Sequence, residues 1–241
     1  MNQELKEMSF LGHLEELRTR ILKILVVLLI VFILLYSFFR EQLLKIIFYP
    51  LTTFGLNLVS LSPAEAFLYN FKICLYTALI ISCPHWLYEI WQFIAAGLYK
   101  REKKVVLPCL IGMIVMFYTG VIFSFKYVLP FVINFFLKEH RNFLVPNWSY
   151  KFYTDFSLKL FLAFGLGFEL PWVLFFLAKM GVVTYKQLLN KFRYAIVLIF
   201  IIAAVLTPPD IISQIFLAIP LIFLYLLGIF LARLVYHGRK E

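Results

Sequence analysis

Long apolar runs alternate with short charged clusters along this 241-residue chain. The nearly uncharged stretches predict six membrane-crossing helices, at about 21–39, 70–94, 105–127, 156–178, 193–206 and 211–233. Strands are excluded from the crossings, because an open sheet edge leaves backbone groups unsatisfied in lipid and the alternation of a barrel strand is missing. The expected fold is all-α, a single polytopic membrane domain over residues 1–241.

From residue 194 to 232 the chain is apolar almost throughout, interrupted mainly by Thr207-Pro208-Pro209-Asp210 and by Gln214. One helix of that length would overshoot the bilayer. Paired prolines remove two backbone donors and push the preceding residue out of the helical region, so a structural turn is expected at Pro208, Pro209 and Asp210. The helix before it then holds about 14 residues, near 21 Å at ~1.5 Å per residue, against a hydrocarbon core of about 30 Å. Helices 5 and 6 are therefore expected to be short, with helix 5 drawn deep or the bilayer thinned around it. Pro84, Pro108, Pro130, Pro171 and Pro220 fall within or at the ends of other spans and predict kinks whose freed carbonyls neighbours satisfy. With 28 phenylalanines, these bends point to a rigid, concave body. Residues 40–66 suit a short interfacial helix and an ordered cap, and Trp148 and Tyr150 mark the return of the second outer loop to the interface.

Composition agrees, since 63% of residues are hydrophobic and only 15% charged, more apolar surface than a soluble interior of this length can hold. The net charge of +10 does not gather on one face, which argues against nucleic acid. Its basic residues flank the spans instead. They concentrate in the N-terminal tail, the 2/3 loop (Lys100, Arg101, Lys103, Lys104), the 4/5 loop (Lys179, Lys186, Lys191, Arg193) and the C-terminal tail. With an even number of spans, that bias puts both termini in the cytoplasm. Cys74, Cys83 and Cys109 are odd in number and lack C-x-x-C spacing, so neither a disulfide framework nor a zinc site follows.

Catalysis inside a membrane needs a nucleophile with its base, or converging metal ligands. The four histidines are scattered and no H-E-x-x-H or G-x-S-x-G motif occurs, so no enzyme, cofactor or metal is expected. Glu169 stands out as the one charged residue of the fourth span, where a carboxylate costs on the order of 3 kcal/mol by insertion scales. Gly165 and Gly167 beside it would admit a helix or peptide closely. Two readings stay open: a polar site facing a cavity or partner, or a buried, protonated structural residue. A second cluster joins the tail His13-Leu14-Glu15-Glu16-Leu17-Arg18-Thr19-Arg20 to the loop from Phe93 to Glu102. Taken bare, Glu16 and Arg20 form an i,i+4 pair on a solvated helix and Glu102 offsets neighbouring lysines.

The tail His13-Leu14-x-Glu16-Leu17-Arg18 resembles the opening motif of the TatC family, the core membrane subunit of the twin-arginine protein translocase. Further similar stretches follow in family order: Ser62-Pro63-x-Glu65-x-Phe67, Tyr88-x-x-Trp91-x-Phe93 with Gly97-Leu98-Tyr99-x-x-Glu102, Phe164-Gly165 with Phe168-Glu169-x-Pro171, and Leu206-Thr207-Pro208-Pro209-Asp210 with Gln214. The departures are Ala96, where the family usually has proline, and Ala64, where threonine is common. The resemblance implies a receptor in the bacterial cytoplasmic (inner) membrane for folded proteins whose signal carries two consecutive arginines, driven by the proton-motive force. It assigns signal binding to Glu16, Phe93 and Glu102, supported by Leu17 and Arg18. Contacts with single-span TatA/TatB-type subunits go to Thr207, Gln214 and Glu169, in an oligomeric complex. The alternative from another class is a secondary transporter or channel for a small solute, with Glu169 as its ion site.

Overall fold

The structure, a computed structural model, describes residues 10–56, 58–60, 62–96, 100–139, 148–207 and 211–237, with the backbone alone at 10, 11, 63, 96, 100–106, 139, 236 and 237. Helix α1 (Phe10–Leu34) runs through a π-helical turn, Leu35–Phe39, into α2 (Arg40–Thr52). After strand β1 (Leu58–Val59) come α3 (Pro63–Ile81), α4 (Cys83–Ala96) and α5 (Lys100–Phe123). A second π-helical turn, Ser124–Val128, leads to α6 (Leu129–Glu139), and β2 (Trp148–Ser149) precedes α7 (Tyr150–Gly167), α8 (Leu170–Met180) and α9 (Tyr185–Asn190). The chain finishes with α10 (Phe192–Leu206) and α11 (Ile211–His237). Five stretches are long and apolar enough to cross a bilayer: Gly12–Thr52, Ala64–Ile81, Leu107–Lys138, Tyr150–Met180 and Ile211–Val235. The 15 residues of α10 make a shorter apolar helix of about 22 Å.

The prolines act in two ways. Pro63, Pro84 and Pro171 each occupy the first turn of a helix, where a missing N–H costs nothing, while Pro130 follows the π-helical turn in a helical run that continues from α5. Pro108 and Pro220 sit inside helices that continue past them. The stretch expected as one span over 70–94 is therefore two helices, separated at Ser82. Its freed carbonyls do find side-chain donors: Trp86 Nε1 donates to the Leu79 carbonyl at 3.0 Å and Tyr118 Oη to that of Ile81 at 3.1 Å. The fourth apolar stretch likewise breaks at Phe168 and Glu169, between α7 and α8.

Packing centres on α7, α8 and α11, with α11 lying along α8, α5 along α7 and α10 along α11. Phe164, Leu158, Leu160, Leu217 and Ala218 are fully or almost fully buried there. By contrast α1 shows Leu25, Val26, Leu29, Ile30 and Ile33 about half exposed, a surface made for lipid. Gly165 and Gly167 do permit close approach, but within the chain. An added Cβ would lie 2.8 Å from the Phe117 ring at Gly165 and would collide with Leu221 Cδ2 at Gly167. Their place as landing points for an outside helix is thus taken by α5 and α11.

A clasp joins the two loops expected on the outer side. β1 and β2 pair in parallel, with Leu58 opposite Trp148 and Val59 opposite Ser149. Around them Tyr153 Oη donates to the Ile47 carbonyl at 2.7 Å, and Tyr150 Oη to Asn70 Oδ1 at 2.6 Å. Glu65 Oε1 accepts the Lys151 N–H at 2.9 Å, so the helix α3 carboxylate serves an otherwise unpaired donor at the start of α7. Asp155 takes Lys72 Nζ at 2.5 Å on one oxygen and Tyr69 Oη at 3.1 Å on the other.

Candidate functional site

Two helices build the first site. On α1, His13, Glu16 and Arg20 follow at spacings of three and four and share a face; on α4, Glu89 and Phe93 do the same. The faces meet antiparallel. His13 stacks on Phe93 with ring centroids 4.3 Å apart and planes at 20°. Further along α1, Arg20 Nη1 donates to Glu89 Oε2 at 2.9 Å, while its Nε and Nη2 donate to Glu16 Oε1 at 3.0 and 2.5 Å. Glu89 is buried, and the side chains of Glu16 and Arg20 are only 19% and 18% exposed. The sequence-level pair Glu16–Arg20 is therefore present, but as part of a half-buried trio rather than on a solvated face. Partial burial strengthens these contacts relative to a surface ion pair.

Glu16 Oε1 is spent on Arg20, whereas Glu16 Oε2 is buried and, among the described residues, accepts no hydrogen bond. It lies 4.0 Å from His13 Nδ1, beyond hydrogen-bond reach. The arrangement is an acceptor without a donor, beside an aromatic stack, at the junction of the N-terminal helix with the segment leading into the 2/3 loop. Of the expected signal-binding residues, Glu16 and Phe93 are brought together here. Leu17 is half-buried and Arg18 exposed, and it is Arg20 rather than Arg18 that meets Glu16. Glu102 belongs to the first turn of α5, with its side chain outside the described residues. Glu89 escaped the sequence reading. Its signal was a lone glutamate in an apolar run, one helical turn before Phe93.

Glu169 sits elsewhere, at the break before α8, and is 6% exposed. It lines an open pocket of about 310 Å³ with Trp86, Ile90 and Ile94 of α4, Met113 of α5, and Val173 of α8. Among the described residues, buried Glu169 Oε1 has no hydrogen-bond partner. Thr207 and Gln214 form a third place. Thr207 Oγ1 donates to the Ala203 carbonyl at 2.8 Å within the end of α10, and Gln214 Nε2 donates to the Phe200 carbonyl at 2.9 Å, tying the start of α11 to α10. Thr207 also borders an open pocket of about 480 Å³ shared with Lys151, Asp155 and Lys159 of α7. Glu169 is thus not part of the Thr207 and Gln214 group, and Pro208, Pro209 and Asp210 lie outside the described residues. Among the described residues no three His, Cys, Asp or Glu side chains converge as metal ligands.

The chain as a whole is similar to known proteins. The family model of the Sec-independent protein translocase protein (TatC) matches residues 12–220. The Sec-independent protein translocase protein TatC of Helicobacter pylori (strain J99) is 40% identical over 229 residues, covering 95% of this chain and 90% of that protein. Its namesake in Desulforapulum autotrophicum is 38% identical over 244 residues, covering 100% of this chain and 89% of that protein. Among solved structures, the crystal structure of the twin arginine translocase receptor TatC in DDM superposes with a TM-score of 0.84 at 37% identity, covering 91% of this chain and 99% of that one. A helical membrane fold, these family landmarks in order and likeness along nearly the whole length lead to one conclusion: the chain belongs to the TatC family of protein translocase subunits.

Proposed function

We propose that this protein is the receptor and scaffold subunit of a translocase that recognises signal peptides bearing two consecutive arginines and exports folded proteins using the proton-motive force. One observation carries the reading: Glu16 and Phe93, from segments far apart in sequence, meet in a single site with a buried carboxylate oxygen still free to accept. A guanidinium is the cation that suits it, since its planar fork donates to a carboxylate and stacks on an aromatic ring at once. Glu102 then serves the second arginine. Charge-assisted hydrogen bonds contribute about 1.5–3 kcal/mol each, so two give about 3–6, against about 8 for a micromolar complex. The apolar part of the signal supplies the balance along α4, where Ile90, Ile94 and Trp86 border the pocket that reaches Glu169.

The six spans run N-in and C-in through the bacterial inner membrane, and single-span TatA/TatB-type subunits dock at Thr207, Gln214 and Glu169. The antiparallel meeting of His13 with Phe93 supports a common compartment for the tail and the 2/3 loop. A photo-crosslinker at position 93, in membranes challenged with signals bearing Arg-Arg or Lys-Lys, tests the receptor reading. The expected adduct forms with Arg-Arg and falls several-fold with Lys-Lys; equal yields, or none, overturn the assignment. Reporter fusions after residues 13 and 102 are expected to report the same side of the membrane.

A further inference from the structure

We propose that Glu89 is a positioning residue of the signal site that sets its charge by acting through Arg20, the resident counter-ion that it shares with Glu16. The inference rests on the reading of Glu16 as the carboxylate that takes a signal arginine. Arg20 is bound from two sides, by Glu16 Oε1 through Nε and Nη2 and by Glu89 Oε2 through Nη1. Its guanidinium engages one oxygen of the Glu16 carboxylate and leaves the other, Oε2, as an acceptor beside the His13–Phe93 stack.

Charge decides why two carboxylates are needed. Glu16 and Arg20 alone are a neutral pair, with no net attraction for another cation on a chain whose overall charge is +10. Adding Glu89 makes two carboxylates around one guanidinium, a net charge of −1 at the point where an arginine is to be received. Glu89 is buried, so this charge is poorly screened by salt and stays local. Glu89 itself touches no incoming peptide. It acts by drawing off half of Arg20, so that Glu16 keeps charge to offer. Arginine is favoured over lysine because Oε2 and the Phe93 ring together present an acceptor and a flat face, which a compact ammonium cannot use at once.

The test is binding of a fluorescent Arg-Arg signal peptide to the purified full-length protein in vesicles, with thermal unfolding run beside it. Glu89→Gln is expected to weaken binding about tenfold, the effect of one charge-assisted contact. Glu89→Asp is expected to retain most of it. The deciding variant is Arg20→Gln/Glu89→Gln, which returns the site to −1 and is expected to bind within about threefold of the parent. A purely structural trio gives the opposite order, with the double variant as weak as Glu89→Gln or weaker. That result, or parental binding by Glu89→Gln, overturns the inference. Should the double variant fail to fold, Arg20→Gln alone decides: retained binding supports the counter-ion role and loss of binding refutes it. Glu16→Gln separates the two layers. If it binds like the parent, the receptor reading of Glu16 itself fails; if it loses binding while Glu89→Gln does not, only the role given to Glu89 falls.

Discussion

Glu169 shows how one carboxylate carries two meanings that only its surroundings resolve. Its position in an apolar run marked it, and the structure buries it with one oxygen unpartnered in a pocket otherwise walled by aromatic and aliphatic side chains. Among the described residues no second carboxylate or histidine lines that pocket. Relieving the buried acid is expected to stabilise the fold: Glu169→Leu should raise thermal stability by roughly 1 kcal/mol, measured by unfolding in detergent. The same variant is expected to lose crosslinking to single-span partners and with it export. Unchanged export would return the residue to a structural role. Glu89 is the contrasting case. A lone glutamate one turn from an aromatic residue reads equally well as a tolerated helix charge, and only the packing of α1 on α4 turns it into half of an arginine clamp.

At the scale of elements, the apolar runs were legible because the bilayer demands continuous helix wherever the backbone meets lipid. Five long stretches are helical and apolar enough to cross a bilayer, and α10 is a shorter apolar helix. The breaks at Ser82 and at Phe168–Glu169 were less legible, because a proline in a span reads alike as a kink or as a helix start. What settles it is tertiary: the indole of Trp86 and the hydroxyl of Tyr118 satisfy the carbonyls that the break at Ser82 exposes. Strands β1 and β2 carry no readable pattern, since two residues each are too few for alternation. Among the clasp residues Asp155 accepts from two donors on α3, and its side chain is 28% exposed. Asp155→Ala is therefore expected to cost about 1 kcal/mol, with Lys72→Ala costing less because Tyr69 still binds the carboxylate. Thermal unfolding of the two variants in one detergent checks the order.

At the scale of the whole molecule, α10 stands out as about 22 Å of apolar helix against a core of about 30 Å. The crossing proposed for α10 would favour thin membranes by fractions of a kcal/mol per ångström. In vesicles made from lipids of increasing acyl-chain length, stability and signal-dependent export are expected to fall together. A variant with one apolar turn added to α10 is expected to move the optimum to thicker bilayers; an unmoved optimum would place the mismatch elsewhere.

Pairing Leu58–Val59 with Trp148–Ser149 closes the intervening ninety or so residues into a ring sealed by non-covalent bonds. Tyr153 on the Ile47 carbonyl and Lys72 on Asp155 reinforce the seal from either flank. A protease that severs the backbone once inside that ring would leave two fragments that still travel as one body, and two separately made halves have a template on which to find each other.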